Sequence, residues 1–537
     1  MNVSKGITTI KALFHLPLLL LILYPYFVGL LINPSIADHR EILILLSWFP
    51  ILLAPVLIFR KKIIENLVII LLFLNGFASL VHWVLVKAPL SATGVFVFLN
   101  SNSNEIIEFV LFKNSWRLVL LLPYLAILFW AFRSSCIKEK AVSFVILSLF
   151  LTYSLFFVFE NIIHERFLRK GAPVLVKTIV SFYQETKALQ NTEALYKSKH
   201  VDAVVDAGQK GLTIILVIGE SANRNHMSIY GYNNPTTPKL LNRSDLYIFD
   251  NVISPYCHTL DAVRAALTEA NIDNKMPFNQ AVSIIDVAKP AGYKTYWLSN
   301  QSPLGIWDNF ITVLAKKADV CSFFNVSGSS STEAGFKKSD DICLIEPLKK
   351  ALNDTTPFKL IIVHLMGSHG QYHLRYPSSF QKFNYGKDKK NQTIAQYDNS
   401  ILYTDFVLDS IFTILERIPL QKNNPSALLY FSDHGENVYD KLDFVGHDYA
   451  DTLPYSIVEI PFVLWMSKQY QEANPDMTKL MAKNVHSPYM TDDLFHSLIS
   501  LMQVKSPVLD SSRSIFTSGY NSLRPRMLEN GHRYYSK

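Results

Sequence analysis

The chain has 537 residues, a formal net charge of +7, and 49% hydrophobic residues. That length exceeds one ordinary core and asks for two or three structural units. The modest charge, with no basic run interleaved by aromatics, argues against a nucleic-acid partner. Four cysteines (Cys136, Cys257, Cys321 and Cys343) stand too far apart for a zinc-ribbon pattern, so a metal in this chain would rest on His and carboxylate ligands.

Apolar runs crowd into residues 1–165. Five stretches there, 12–33, 41–59, 63–87, 116–132 and 141–160, approach the roughly 20 apolar residues that a helix needs to cross a bilayer. The first is too long for a cleavable signal and lacks a small-residue cleavage site, so it reads as a retained anchor. Lys5 and Lys11, then Arg60, Lys61 and Lys62, then Arg133, Lys138 and Lys140 mark three loops on the cytoplasmic side. An odd number of spans then puts everything after residue 165 on the outer side. The loop 88–115 falls on that side too. Its polar run of Ser101, Asn102, Ser103, Asn104 and Glu105 is either a solvated loop or a contact for a zwitterionic head group, whose ammonium carboxylates and amides can hold. Residues 165–205, with Phe167, Arg169, Lys170, Phe182 and Tyr183, turn amphipathic and predict an interfacial helix bridging two halves. The expected division is 1–164 in the membrane, 165–205 as bridge and 206–537 as soluble domain.

From residue 211 short apolar runs alternate with turn signals and helical stretches, the texture of an α/β sheet covered by helices. Predicted strands are Thr213–Ile218, Lys294–Leu298, Lys359–Leu365, Ala427–Phe431 and Pro461–Trp465. Functional residues of such sheets gather past the carboxyl ends of strands. Glu220 follows the first strand, where Gly219 is expected to let the backbone turn. His369 follows the third strand, Asp433 and His434 follow the fourth, and His447 stands in Val445-Gly446-His447. One such residue alone is most simply a helix cap. Four at four strand ends predict a metal site of nitrogen and oxygen donors suited to zinc. Thr259, in Cys257-His258-Thr259-Leu260-Asp261, opens a helix, where it is either a plain N-cap or a hydroxyl beside a phosphate site.

Several blocks carry a resemblance. Gly219-Glu220-Ser221-Ala222-Asn223-Arg224 with Met227 to Tyr232 and Thr236-Thr237-Pro238, His364 to Gly370, Tyr397 to Asp405, and Phe431 to Glu436 resemble segments of the bacterial phosphoethanolamine transferases over nearly the whole chain. The resemblance implies an α-helical transmembrane domain of five spans followed by an α/β sulfatase/alkaline-phosphatase-like domain, in the bacterial inner membrane with the catalytic part in the periplasm. It implies a phosphotransferase that moves phosphoethanolamine from phosphatidylethanolamine to lipopolysaccharide, on core heptose or on lipid A. Thr259, 39 positions after Glu220, matches the nucleophile that becomes phosphorylated. Glu220, Asp433 and His434 match ligands of a zinc ion that also meets Thr259. His369 and His447 match residues that hold the phosphoryl group or a second zinc. Ser101, Asn104 and Glu105 are similar to a loop that helps to form the lipid pocket. The lipid A-modifying branch carries Cys-Gly-Thr-x-Thr at the nucleophile, whereas this chain has Cys257-His258-Thr259, with Ala265 in place of the branch's second cysteine. The local wording is closer to the heptose-modifying branch. A monomer is expected. Two other readings stand beside this one, a phosphoglycerol transferase of the same superfamily and a non-catalytic membrane scaffold.

Overall fold

The computed structural model describes residues 15–32, 34, 40–86, 89–100, 115–134, 144–164, 167, 171–196, 199–206, 208–304, 309–325, 340–417, 424–447 and 454–535. They form two compact units that divide between Lys187 and Ala188.

The first unit is helical. Helices α1 (Leu16–Ile32), α2 (Arg40–Phe59), α3 (Lys62–Val86), α4 (Ala92–Asn100), α5 (Leu121–Arg133) and α6 (Phe144–Ile163) precede α7 (Val174–Leu195), within which the units divide. Two of them are long and apolar enough to cross a membrane, over Glu41–Phe59 and Lys62–Leu85. The predicted stretch 116–132 is not one continuous α-helix. A 3₁₀ turn over Ser115–Leu120 leads into the 13 residues of α5. Pro123 stands in the first turn of α5, where its missing N–H costs no intrahelical bond.

Buried aromatics join these helices. Tyr124 donates to Leu21 O at 2.9 Å, Tyr24 donates to Leu120 O at 2.9 Å, and the two rings stack with centroids 5.8 Å apart. Each hydroxyl thereby satisfies a polar tip that burial would otherwise penalise. The start of α7 is tied to this unit through the Leu175 N–H, which donates to Asn75 Oδ1 at 3.1 Å.

The second unit is built on a seven-stranded sheet. Its strands are β1 (Leu212–Gly219), β2 (Leu246–Ile248), β3 (Lys294–Ser299), β4 (Val320–Phe323), β5 (Phe358–His364), β6 (Ser426–Ser432) and β7 (Phe462–Met466). Across the sheet they run β2-β7-β6-β1-β5-β3-β4. Strands β1, β3, β4, β5 and β6 pair in parallel, and β7 pairs antiparallel with both β6 and β2. All five predicted strands are present, within a residue at each end. The short edge strands β2 and β4 were not foreseen, since a run of three or four half-buried residues carries too little alternation to be read.

Every residue of β1 is buried, as its Ile/Leu/Val run requires of a strand covered on both faces. On one face Ile215 and Val217 join Ile361, Val363, Leu428 and Tyr430. These pack against Leu348 of α9 (Ile345–Leu352) and Tyr397, Ile401 and Phe412 of α10 (Lys389–Arg417). Burying each such aliphatic side chain stabilises the fold by roughly 1.5–3 kcal/mol over leaving it exposed. The result is a rigid row of strand ends at β6, β1, β5 and β3.

Candidate active site

The chain leaves the end of β1 through Glu220 and Ser221. It is Ser221, with φ of 55°, that makes the turn, and not Gly219 as the sequence suggested. Gly219 is needed for space, because a Cβ there would come within 2.9 Å of the Tyr430 ring. Gly367 does take a left-handed φ of 51°, and a Cβ on it would meet Glu220 O at 2.7 Å. The loop after β5 thus lies directly on Glu220, with the Ser368 N–H donating to Glu220 O at 2.9 Å. That contact delivers His369 to the site.

At the end of β6, Asp433 Oδ1 accepts the N–H groups of Ser221 (3.1 Å) and His434 (2.7 Å). Its other oxygen, Oδ2, is buried with no hydrogen-bond partner among the described residues. His434 Nδ1 donates to Gly435 O at 2.7 Å, so the proton on that nitrogen leaves Nε2 as the ligating atom. Nε2 lies 3.4 Å from Glu220 Oε1 and 3.5 Å from Asp433 Oδ2. Donor atoms of Glu220, Asp433 and His434 all fall within 4.8 Å of one another, fully buried.

Three electron-pair donors aimed at one point, one of them orphaned, form an arrangement that a bound cation would stabilise. Two carboxylates, one imidazole and one hydroxyl match zinc's preference for nitrogen and oxygen ligands. The electrostatics agree. Burial and the Glu220 charge push the Asp433 carboxyl up. Burial opposes charge on His434, but Asp433 and Glu220 outweigh it and raise that imidazole. Glu220 is also opposed by burial, yet the hydrogen bond and charge of His434 hold it below the usual carboxylate range.

Thr259 opens helix α8 (Thr259–Leu267). The N-cap is His258, in extended backbone, and Thr259 is the first helical residue. The plain-cap reading is therefore corrected: the Thr259 hydroxyl bonds to the cluster. Its Oγ1 lies 3.1 Å from Glu220 Oε2, to which it donates, and 3.4 Å from His434 Nε2. Free N–H groups of the first turn beside it favour an anion.

His447 arrives by a different route from the one expected. It follows Val445–Gly446, a two-residue strand that pairs antiparallel with Asn437–Val438 outside the main sheet. Three main-strand ends and one small hairpin therefore supply the site, in place of four strand ends. The hairpin folds His447 back until its ring centroid is 4.3 Å from that of His434. His447 Nδ1 donates to Glu436 Oε2 at 2.8 Å, and Tyr372 OH donates to Glu436 Oε1 at 2.6 Å. A carboxylate accepts only, so this pairing leaves His447 Nε2 free to accept. Burial pushes the His369 imidazole down, against the pull of Glu220.

Ser101, Asn104 and Glu105 lie outside the described residues. Some residues of the site were missed in the sequence. Gln301, just past β3, donates to Glu220 Oε2 at 3.3 Å and to Leu365 O at 2.8 Å. Asp341 accepts the N–H groups of Met366 (2.7 Å) and Gly367 (2.9 Å) and fixes the loop that bears His369. The strand-end rule could have found Gln301 after Leu298-Ser299-Asn300. Nothing local announces Asp341, which acts across the fold.

A sulfatase family description matches residues 213–504 of the chain. The chain is 30% identical over 499 residues to phosphoethanolamine transferase EptC of Escherichia coli (strain K12), covering 86% of this chain and 84% of that protein. Among solved structures, the C-terminal periplasmic domain of EcEptC from Escherichia coli, in complex with Zn, is 31% identical, with a TM-score of 0.55 over 62% of this chain and 93% of that one. The integral membrane protein lipooligosaccharide phosphoethanolamine transferase A (EptA) from Neisseria meningitidis shares the fold with a TM-score of 0.51 at 18% identity, covering 96% of this chain and 98% of that one.

Proposed function

The chain belongs to the sulfatase family and, within it, to the phosphoethanolamine transferases, and we propose that it moves phosphoethanolamine from phosphatidylethanolamine to a lipopolysaccharide acceptor through a covalent phospho-Thr259. The observation that carries this reading is the Thr259 hydroxyl, held 3.1 Å from Glu220 at a helix N-terminus beside the buried donor cluster. Glu220, Asp433, His434 and Thr259 would hold zinc, as would suit a relative of a domain crystallised with Zn. Bound zinc lowers the pKa of a coordinated hydroxyl and offsets charge on phosphoryl oxygens.

The chain's own groups do the rest. In the first half-reaction the Thr259 oxygen attacks the donor phosphorus, and its proton passes to the departing glycerol oxygen. The bond from phosphorus to the glycerol oxygen breaks, and diacylglycerol departs with one proton. In the second half, an acceptor hydroxyl attacks phospho-Thr259. His447 Nε2, oriented by Glu436, takes the acceptor's proton, and the Thr259 oxygen regains one. His369, kept neutral by burial, and His447 flank the phosphoryl group. A second zinc at these two imidazoles is the alternative use of the same residues.

The first 164 residues would anchor the enzyme through five spans, residues 165–205 would bridge, and residues 206–537 would work as a monomer on the periplasmic side of a bacterial inner membrane. The Ser101, Asn104 and Glu105 loop would meet the donor's head group. The Cys257-His258-Thr259 wording favours core heptose over lipid A as acceptor.

Intact-mass analysis of the full chain incubated with phosphatidylethanolamine tests the reading. One phosphoethanolamine adduct, mapped to Thr259 and absent in Thr259→Ala, is expected. Full transfer by Thr259→Ala, with no adduct on the parent chain, overturns it. Mass spectrometry of envelope glycolipid from cells with and without the gene identifies the acceptor.

A further inference from the structure

Cys257 and His258 stand immediately before the nucleophile, and the transfer described above uses neither. Cys257 is fully buried, and its Sγ lies 3.2 Å from His258 Nδ1. Glu529 reaches the same loop from near the C-terminus. Its N–H donates to Pro255 O at 3.1 Å, and its Oε1 accepts the Cys257 N–H at 2.8 Å. A thiol sulfur, a ring nitrogen and a carboxylate oxygen from these three residues lie within 4.8 Å of one another.

We propose that Cys257, His258 and Glu529 form a second metal site, for zinc or a similarly thiophilic divalent cation, sharing no ligand with Glu220, Asp433 and His434. Sulfur, nitrogen and oxygen donors are the set that zinc accepts, and in tetrahedral geometry a sulfur and a nitrogen ligand stand about 3.5 Å apart. The observed 3.2 Å between Sγ and Nδ1 is already close to that spacing. Two ligands are neighbours in the chain, and the third is tied to their loop by its N–H, which donates to Pro255 O, and by its Oε1, which accepts the Cys257 N–H. These contacts hold the donors close together before a cation binds, which limits the side-chain entropy lost on binding. Three protein ligands leave a fourth position for water or an anionic oxygen.

The site adjoins the catalytic cluster through a row of imidazoles. The His258 and His447 ring centroids are 5.6 Å apart, and those of His447 and His434 are 4.3 Å apart. A cation held one residue before Thr259 adds positive charge where phosphoryl oxygens gather. Binding exchanges the thiol proton for the metal: one S–M bond forms, one S–H bond breaks, and the proton goes to solvent.

The test uses the full chain in detergent, stripped by chelator and titrated with Cd2+. The expected result is a sulfur-to-cadmium charge-transfer absorption in the parent chain and in Asp433→Asn. Cys257→Ser abolishes it and binds one fewer ion per chain by elemental mass spectrometry. His258→Ala and Glu529→Gln, which retain the thiol, each weaken Cd2+ binding at that absorption by about tenfold or more. Absence of the absorption from the parent chain, its persistence in Cys257→Ser, or unchanged affinity in both His258→Ala and Glu529→Gln overturns the proposal. Because Asp433→Asn empties only the catalytic cluster, failure of the catalytic reading leaves this absorption untouched.

Discussion

Leu31, Leu43, Ile63, Leu67 and Phe129 of the helical unit are each more than half exposed, whereas the catalytic unit keeps Glu220, Asp433 and His434 at 1% exposure or less. The two units place the costly groups on opposite sides of their surfaces. Apolar faces turned outward suit apolar surroundings. Charges turned inward persist only where partners or a bound ion offset their desolvation. The contrast teaches that tolerance to substitution follows the surroundings of a side chain and not its polarity.

The sharpest way to break that contrast is Asp433→Asn. It removes charge from the inward-facing set, and zinc content and transfer should both collapse, transfer by about a thousandfold or more. Prolonged chelation of the parent chain should do the same, with recovery on adding zinc back. A thermal melt of Asp433→Asn that rises while activity vanishes would show that the buried charge serves chemistry at the expense of stability.

Glu436→Gln is expected to cost about 10- to 100-fold in kcat, since it loosens the orientation of His447. A steady-state assay with its pH profile reads this. An unchanged rate and profile would remove His447 from the proton path.

His226 supplies the stability test. It lies 2.7 Å from Asp398 and 3.0 Å from Asp440. Burial opposes its charge, but these carboxylates outweigh it and raise its pKa from 6.5 to about 9. The native state thus holds the proton more tightly than the unfolded chain. Its stabilisation is complete below the unfolded value of 6.5 and is lost as pH climbs through about 9. His226→Gln should lower stability at pH 6 by about 2 kcal/mol and flatten that dependence in urea titrations.

The smallest effect belongs to the outward face. Leu67→Ser should leave transfer within about twofold and the melting of the catalytic unit within about 0.5 kcal/mol. A loss as large as that of Glu436→Gln would mean that this face is covered by protein.

The legible parts of the molecule were those with long, uniform patterning. The run from Leu212 to Gly219, and its counterparts in β5 and β6, could be read because continuous Ile/Leu/Val between turn signals has few other uses. Glu220, Asp433 and His434 followed from their places at those strand ends. The stretch 116–132 shows the opposite case, where uniform apolar content gave no sign of the 3₁₀ turn over Ser115–Leu120. Ser221 takes the left-handed turn assigned to Gly219, and Gly219 is required instead by the Tyr430 ring from a strand 211 positions later, which no local window contains. Asp341 escaped for the same reason: its work is done on a loop brought near only by the completed sheet.

The pairing of β1 with β6 sets Ile218 beside Phe431 and Gly219 beside Ser432. The Ser221 N–H reaches Asp433 across a separation of 212 positions. Contacts so distant along the chain carry a heavy loop-closure cost and form slowly. High-affinity metal capture must follow that pairing, because neither Glu220 nor Asp433 has its partner before the strands meet. Zinc uptake during refolding, followed with a fluorescent chelator, therefore times the closing of the sheet, and the chain is most open to proteases in the interval before it.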